Sequence, residues 1–485
     1  MRRLAADDPD RPALVGADTR LSYRELYAQS RRLSGALDHA LPRALPDTTP
    51  RPVVVLCLAG SFDTARLVVA AEAGDRIVVV VDGRCPVSLQ VQSILSTGAV
   101  AVITDSDALR AALPASGWPG LLLGLTDLDG SDLDDAPDST LPADDAPFLL
   151  LTSSGTTGAP KAFLKTRAQY AANIDVSRAH LGAGDGIATF APGPMSYSLT
   201  LYTLFEVLAT GGQLHVADRL EELWLTARTR DEHITRVVTV PAAVRPLTDA
   251  ATRDPGRHDG IDLIITGGAA LSPDARGRIA ETMPRARTIS YFGTAELGFI
   301  GDSRAGDAIR LYPQVQARVR DDAGTAVPEG EVGTLWVRSP SCSTGYLPGS
   351  SSTPLQDADG WASVQDQGRL HGRDFTFVGR RGDVVTTGGH TVALDEVERA
   401  FEGMPGLGAV CAVAESDDIR GVRIVLVVEG EAASGAELRA WAKDRLAAAS
   451  VPRRWCTVPE LPRTPGGKIR RGRVAELVAR GEVAQ

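Results

Sequence analysis

The feature that most constrains this chain is a series of short, largely apolar runs, those at 53–58 and 77–81 rich in β-branched residues, with helix-forming stretches between them. Residues 53–58, 77–81, 148–151, 237–240 and 263–266 are such runs, all too short for buried helices. Their continuous apolar character marks strands covered on both faces. Strands of this kind alternating with helices build a largely parallel sheet, hence an α/β fold. Ser22-Tyr23-Arg24-Glu25 is a capping box with Leu21 and Leu26 spaced as a hydrophobic staple, and it predicts a helix to about Leu37. After about Pro328 the pattern shifts to shorter strand-like pieces at 333–337 and 375–378. The C-terminal stretch reads as a small α+β unit, with a strand at 422–428 and a helix at 436–449.

A chain of 485 residues forms at least two domains. A net charge of -10 argues against general affinity for nucleic acid or an anionic membrane. No apolar run approaches the roughly 18 residues of a membrane helix, and the charged start Met1-Arg2-Arg3 has no apolar stretch behind it, unlike a secretory signal. Cys57, Cys85, Cys342, Cys411 and Cys456 form no CxxC pair, so reduced thiols in a cytoplasm are expected rather than a zinc site or disulfide framework. The seven histidines form no HxxxH or HExxH pair, and no GxSxG elbow occurs. Residues 126–145 read as a solvated acidic connection.

Of 51 basic residues only four are lysine: Lys161, Lys165, Lys443 and Lys468. A lysine kept against that bias stands where an ammonium differs from a guanidinium. Lys161 closes the segment Thr152-Ser153-Ser154-Gly155-Thr156-Thr157-Gly158-Ala159-Pro160-Lys161, which follows directly on the run at 148–151. Glycines let backbone N–H groups approach a polyphosphate, hydroxyls add donors, and the lysine adds a mobile charge. The spacing differs from a Walker loop.

This loop resembles the signature loop of the adenylate-forming superfamily: acyl- and aryl-CoA synthetases, luciferases and peptide-synthetase adenylation domains. Further segments match in order, from about residue 12 to residue 471. Tyr291-Phe292-Gly293-Thr294-Ala295-Glu296 is similar to the family's aromatic-Gly-x-Thr-Glu segment, with Ala295 for threonine. The resemblance implies Mg2+ on Glu296, joined by Thr156, and an aromatic ring near adenine. Gly267-Gly268-Ala269-Ala270 looks like the loop bordering adenine and the acyl pocket. The stretch from Gly360-Trp361 to Asp366 resembles Trp-x-x-Thr-Gly-Asp, with Val364-Gln365 in place of Thr-Gly. By resemblance Asp366 holds the ribose hydroxyls and Arg380 of Gly379-Arg380 also contacts ribose. Pro462-Arg463-Thr464-Pro465-Gly466-Gly467-Lys468 looks like the PxTxxGK ending, making Lys468 the adenylation lysine. Gly155, Lys161, Glu296, Asp366, Arg380 and Lys468 thus agree in type and order.

The resemblance implies a large N-terminal domain of parallel-rich sheets flanked by helices, residues 1–380. A small mobile α+β domain, residues 381–485, would carry Lys468 and pivot at Gly382, where the family usually has Asp or Lys. The implied reaction is ATP-dependent adenylation of a carboxylic acid, aryl or fatty acyl, with Mg2+. The segment Thr386-Thr387-Gly388-Gly389-His390 looks like the loop lining the pantetheine tunnel. Tyr197 replaces a histidine that often sits beside the substrate, and Ser198 stands where amino-acid-activating relatives have aspartate. A free α-amino acid is therefore disfavoured. Leu199, Leu201, Tyr202, Phe292 and Phe299, with Gly267, are expected to form a mostly apolar acid pocket. The expected acceptor is CoA, with Arg420 and Arg423 as candidates for its nucleotide. The alternatives are an acyl-carrier protein, an amine acceptor, a small oxyanion substrate such as nitrite, and a nucleotide-binding protein without turnover. A monomer or homodimer is expected.

Overall fold

The computed structural model describes the chain except for residues 42–50, 130–142, 154–160, 219–231, 257, 307, 352, 388–389, 418–420, 432, 465–467 and 485. The side chains at 129, 153, 386, 390 and 391 also lie outside the described set. The chain divides into two compact units. The first comprises Met1–Thr152, Ala162–Gln316 and Arg338–Gly360; the second comprises Ser153–Lys161, Ala317–Val337 and Trp361–Gln485.

In the first unit the capping box forms as expected. Ser22 N donates to Glu25 Oε2 at 2.8 Å, Glu25 N donates to Ser22 Oγ at 3.3 Å, and the helix Tyr23–Ala40 follows. One sheet has the order Leu121–Leu123, Ala101–Thr104, Val53–Cys57, Ile77–Val80, Pro147–Ser153, Lys161–Thr166. The first five strands pair in parallel. Every residue of Val53–Cys57 and Ala101–Thr104 is buried, as a sheet covered on both faces requires. Val53, Val55, Ile77, Val79 and Val102 pack with Ile94, Leu109 and Leu113 from the crossover helices. Burying each such side chain contributes roughly 1.5–3 kcal/mol.

A second sheet in the same unit places Gln213–Ala217, Ala188–Pro192, Arg236–Thr239, Leu263–Thr266 and Arg287–Thr294 side by side, all parallel. Gly298–Ser303 and Ala308–Leu311 then turn antiparallel. The carboxyl ends of the first three strands meet at one edge of the sheet, the edge where open α/β sheets bind ligands. The strand Arg236–Thr239 is moored at its other end. Arg236 Nη1 and Nη2 donate to Glu206 Oε2 and Oε1 at 2.5 and 3.0 Å, and Arg236 Nε donates to Leu181 O at 3.0 Å. Arg236 and Glu206 are 2% and 1% exposed, so this pair has left water entirely.

In the second unit, Val410–Asp417 pairs antiparallel with Gly421–Glu429, which pairs in parallel with Arg454–Val458. The expected helix at 436–449 is corrected to Gly435–Lys443. The alanines at 447–449 suit a helix, but the chain must turn into Arg454–Val458 beside the central strand. Leu446 and Val451 instead join the core with Leu426 and Val428, and Arg453 N bonds Ile424 O at 2.9 Å. The compact units and the expected division at 380/381 are different partitions. Contacts group 317–337 and 361–380 with the C-terminal residues, whereas the expected division marks a pivot. Among the described residues no helix is long and apolar enough to cross a membrane.

Candidate active site

At the carboxyl edge of the second sheet a cavity of about 250 Å³ is lined by Arg84, Tyr197, Leu199, Thr200, Asp218 and Thr239, among others. Arg84 is held as a fork: Nε and Nη2 donate to Asp82 Oδ1 and Oδ2 at 2.9 and 2.8 Å, and Nη1 reaches Asp218 O at 3.4 Å. Ser61 N donates to Asp218 Oδ1 at 2.6 Å. Burial raises the Tyr197 phenol above its ordinary value, opposed by the Arg84 charge. Tyr197 caps the helix Ser198–Thr210, and Ser198 is exposed. Tyr197 and Thr200 share one face of this helix one turn apart, and that face meets the cavity. Leu201, Leu204 and Leu208 form the stripe turned to the core.

Of the residues expected to form the acid pocket, Leu199 lines this cavity, whereas Leu201, Tyr202, Phe292, Phe299 and Gly267 are not part of its lining. Leu201 and Tyr202 are buried in the core, and Tyr202 bonds Ser177 Oγ at 2.7 Å. Phe299 is buried as well, stacked edge-on between Tyr202 and Tyr291 at ring distances of 4.9 and 4.8 Å. Tyr291 in turn covers Gly267, where a Cβ would lie 2.0 Å from the tyrosine ring, so only glycine fits. Burial raises the Tyr291 phenol. Gly268, with φ +84°, and Ala269 are exposed beyond it. Phe292 is half-buried on Arg287–Thr294.

Glu296 sits in the tight connection between Arg287–Thr294 and Gly298–Ser303. Leu297 N donates to Thr294 Oγ1 at 3.2 Å, and Gly298 takes φ +76° where a Cβ would strike Asn173 Oδ1 and Ser341 Oγ at 2.5 Å. Glu296 is 5% exposed. Tyr346 Oη donates to its Oε1 at 3.3 Å. Its main-chain oxygen accepts from Ser343 N at 2.8 Å and from Lys165 Nζ at 2.9 Å. Lys165 Nζ also donates to Ser341 O at 2.6 Å, and burial pushes this ammonium down to about 8. Among the described residues no cationic side chain is ion-paired with Glu296. A buried carboxylate with no direct ion pair among the described residues, the Lys165 ammonium being bonded only to its main chain and acting on it at longer range, fits a bound Mg2+. The described residues also form no cluster of three metal-ligating side chains. Such a site suits Mg2+, which takes one or two carboxylates plus phosphate oxygens and water.

Gly155, Thr156, Thr157 and Gly158 lie outside the described residues, as does the Ser154 between them and Ser153, so Thr156 as a metal partner is not placed. Thr152 is exposed at the end of Pro147–Ser153, and Lys161 is half-buried at the start of Lys161–Thr166. In the second unit, Arg380 Nε donates to the buried Asp366 Oδ1 at 2.9 Å across the pair Asp366–His371 and Asp374–Arg380. Lys468 comes after residues 465–467, which lie outside the described set, and Thr464 N donates to Lys468 O at 2.7 Å. Its ammonium is held below the ordinary value, first by partial removal from water and then by the Arg380 charge; the carboxylates of Asp395, Asp383 and Asp366 oppose this. The side chain remains open to solvent. Three residues on, Arg471 ties Asp383 (2.9 Å), Glu398 (2.5 Å) and Asp395 together. Arg423 is paired with Glu415 at 2.5 Å, which Arg454 shares; Arg420, Gly388 and Gly389 lie outside the described residues.

The family model described as AMP-binding enzyme matches residues 1–347, and the AMP-binding enzyme C-terminal domain matches residues 396–468. The chain belongs to the AMP-binding enzyme family. Relatives of this AMP-binding enzyme include a salicylyl-CoA synthase / salicylate adenylyltransferase from a Streptomyces species, 31% identical over 71% of this chain and 64% of that protein. An uncharacterized acyl-CoA ligase, YhfT of Bacillus subtilis, is 29% identical over 71% of this chain and 72% of its own. The fatty acid–[acyl-carrier-protein] ligase MmaC of Mycobacterium marinum is 27% identical over 94% and 92%. In fold, the chain is similar to the o-succinylbenzoate CoA synthetase MenE of Bacillus subtilis in complex with its acyl-adenylate. That match has a TM-score of 0.87 and 19% identity, covering 98% of this chain and 97% of that one.

Within this AMP-binding enzyme the departure at Val364-Gln365 has a measurable cost. Gln365 adopts φ +68°, a left-handed conformation, where the resembled motif has glycine. Ser363 Oγ and Arg381 N hold its main chain at 3.0 and 2.8 Å. Left-handed backbone costs a side-chain-bearing residue about 1–2 kcal/mol, and the extra unfolded-state freedom of glycine returns roughly 0.5–1 kcal/mol. Gln365→Gly is therefore expected to raise stability by roughly 0.5–1 kcal/mol, read as a higher urea midpoint at unchanged slope. A lower midpoint would show that the glutamine side chain contributes more than the backbone strain.

Proposed function

We propose that this AMP-binding enzyme activates a compact carboxylic acid as its acyl-adenylate and then passes the acyl group to CoA. The observation that carries the reading is the Glu296 carboxylate, 5% exposed and met by Tyr346 Oη at 3.3 Å rather than by an ion-paired cation among the described residues. An acid oxygen attacks the α-phosphorus of ATP, the bond to the β-phosphate oxygen breaks, and pyrophosphate leaves with the electron pair. Lys468 screens the repulsion between the two anions as they bond. Asp366 and Arg380 bind ribose, Tyr291 and Gly267-Gly268-Ala269 border adenine, and residues 152–161 cradle the phosphates. Glu296, with Thr156, would hold Mg2+, which supplies charge neutralisation at the departing pyrophosphate.

The cavity favours a compact acid. A volume of about 250 Å³ is roughly eight water-sized volumes at about 30 Å³ each. That suits a ring-sized acid better than a long alkyl chain. Arg84, Tyr197 and Asp218 on its wall favour an acid that carries a polar substituent over a bare hydrocarbon. A thiol acceptor accords with the CoA ligases among the relatives. A carrier protein is the second reading, favoured by the near-full-length match to a carrier-protein ligase.

The division at 380/381 belongs to this proposal: residues 381–485 pivot at Gly382 between adenylation and thioester formation. Gly382 takes φ +94°, and a Cβ there would meet nothing within 4 Å. The backbone alone therefore resists substitution. Gly382→Ala is expected to disfavour this conformation by about 1–2 kcal/mol, a roughly 5–30-fold shift. The ratio of pyrophosphate exchange to thioester formation should move by that factor, while an unchanged ratio would remove Gly382 as the pivot.

The function is tested by pyrophosphate release across aryl, fatty and dicarboxylic acids, each with and without CoA. Acid-dependent release with an acyl-CoA detected by mass supports the proposal. Release without thioester moves the acceptor to a carrier protein or an amine.

A further inference from the structure

We propose that Lys165 is a positioning residue for Glu296: its buried ammonium fixes the main chain that aims the Glu296 carboxylate. The proposal rests on the reading of Glu296 as the Mg2+-holding carboxylate.

Lys165 lies on Lys161–Thr166, the strand that follows directly on the phosphate-loop segment. It is 1% exposed. Its Nζ donates to Glu296 O at 2.9 Å and to Ser341 O at 2.6 Å. Both acceptors are neutral carbonyls, and among the described residues the ammonium has no ion pair. Burying a charge in this way costs several kcal/mol unless surrounding dipoles are placed to meet it. Filling space in this core needs no charge, so two aimed carbonyls point to a positioning task.

The ammonium also joins the two segments that grip Glu296. One is the turn itself, through Glu296 O. The other is the stretch through Ser341, whose Oγ donates to Leu297 O at 2.9 Å. That same stretch supplies Ser343 N to Glu296 O at 2.8 Å and Tyr346 Oη to Glu296 Oε1 at 3.3 Å. Removing the ammonium loosens the turn and the segment carrying Tyr346 together. Lysine suits this place because a compact ammonium meets two carbonyls from different segments, whereas a planar guanidinium is built for paired acceptors. In a chain where only four of 51 basic residues are lysine, that chemical difference gives the residue a reason to be there.

The test measures Mn2+ binding to the enzyme·ATP complex by electron paramagnetic resonance, alongside ATP affinity without metal, in wild type, Lys165→Met, Lys165→Gln, Lys165→Arg and Glu296→Gln. Lys165→Met should weaken Mn2+ binding by roughly 10–100-fold, the usual effect of losing a group that orients a metal ligand. Metal-free ATP affinity should hold, and Lys165→Arg should recover part of the loss. If Lys165→Met fails to fold, Lys165→Gln is read by the same criterion. Unchanged Mn2+ affinity in a folded, destabilised variant would overturn the proposal and leave Lys165 as a structural tie. If Glu296→Gln itself leaves Mn2+ binding intact, the reading of Glu296 falls; if Glu296→Gln weakens it and the Lys165 variants do not, only the proposal for Lys165 falls.

Discussion

Lys468→Ala is expected to lower acid-dependent pyrophosphate release by a factor on the order of 10² or more, the usual loss when a positioned transition-state charge is removed. Nothing else described near the reacting groups replaces it. Arg380 carries charge, but its Nε is committed to Asp366 at 2.9 Å. A Mg2+ held by Glu296 would supply charge neutralisation at the leaving pyrophosphate, a task different from that of Lys468. The pH dependence has a defined sign. The ammonium must be charged to act, and its affinity for the proton is lowered by partial desolvation and by Arg380. The alkaline limb of the adenylation rate should therefore fall below the ordinary lysine range and vanish in Lys468→Ala. Stability should scarcely change, since the side chain is exposed. Near-normal release from a folded Lys468→Ala enzyme would remove this lysine from the chemistry.

Glu206→Leu is expected to destabilise the first unit by about 3–5 kcal/mol, because it strands the Arg236 guanidinium in a dry interior. Arg236 donates to both Glu206 oxygens, to Leu181 O and to Thr189 Oγ1, so it cannot swing out to water without opening the sheet edge. Arg236 also starts the strand that ends at the cavity-lining Thr239. The damage should therefore reach substrate binding as well as the urea midpoint. The double replacement Glu206→Leu with Arg236→Met removes both charges and should recover most of the stability, since apolar replacements of whole buried pairs are often near neutral. A single variant as stable as wild type would mean that water or another acceptor already serves Arg236.

Local patterns in the sequence proved readable. The capping box at Ser22 acts over three residues and forms both of its bonds. The strand at Leu263–Thr266 begins and ends as expected, because a mostly β-branched run set between Asp262 and Gly267 leaves little choice. The helix expected through 449 ends at Lys443 because the turn into Arg454–Val458 is a tertiary demand that alanines do not announce. Which face of Ser198–Thr210 meets the cavity was equally hidden. Leu199 meets the cavity while Leu201 and Tyr202 pack inward, a difference set by helical phase against the sheet.

The candidate site divides along the same line. Motif residues such as Glu296, Asp366 and Lys468 were legible through a resemblance. Arg84 and Asp218 were not, because they meet only where strands 134 positions apart in the chain end together. Their signal was a charged residue just past an apolar strand, which becomes informative once the sheet order is known. Lys165 stood out as a rare lysine, yet its partner lies 131 residues away. The unusual Gln365 was visible as a departure from a motif, but its left-handed backbone was not.

Adenylation requires that an acid oxygen attack the α-phosphorus of ATP. The most direct measurement supplies an accepted acid labelled with heavy oxygen in its carboxylate, together with ATP, Mg2+ and CoA, and follows the label by mass. The account predicts one labelled oxygen in AMP, unlabelled pyrophosphate, and an acyl-adenylate that accumulates when CoA is withheld. Label in inorganic phosphate, or turnover to ADP, would place the attack on the γ-phosphorus and contradict the account.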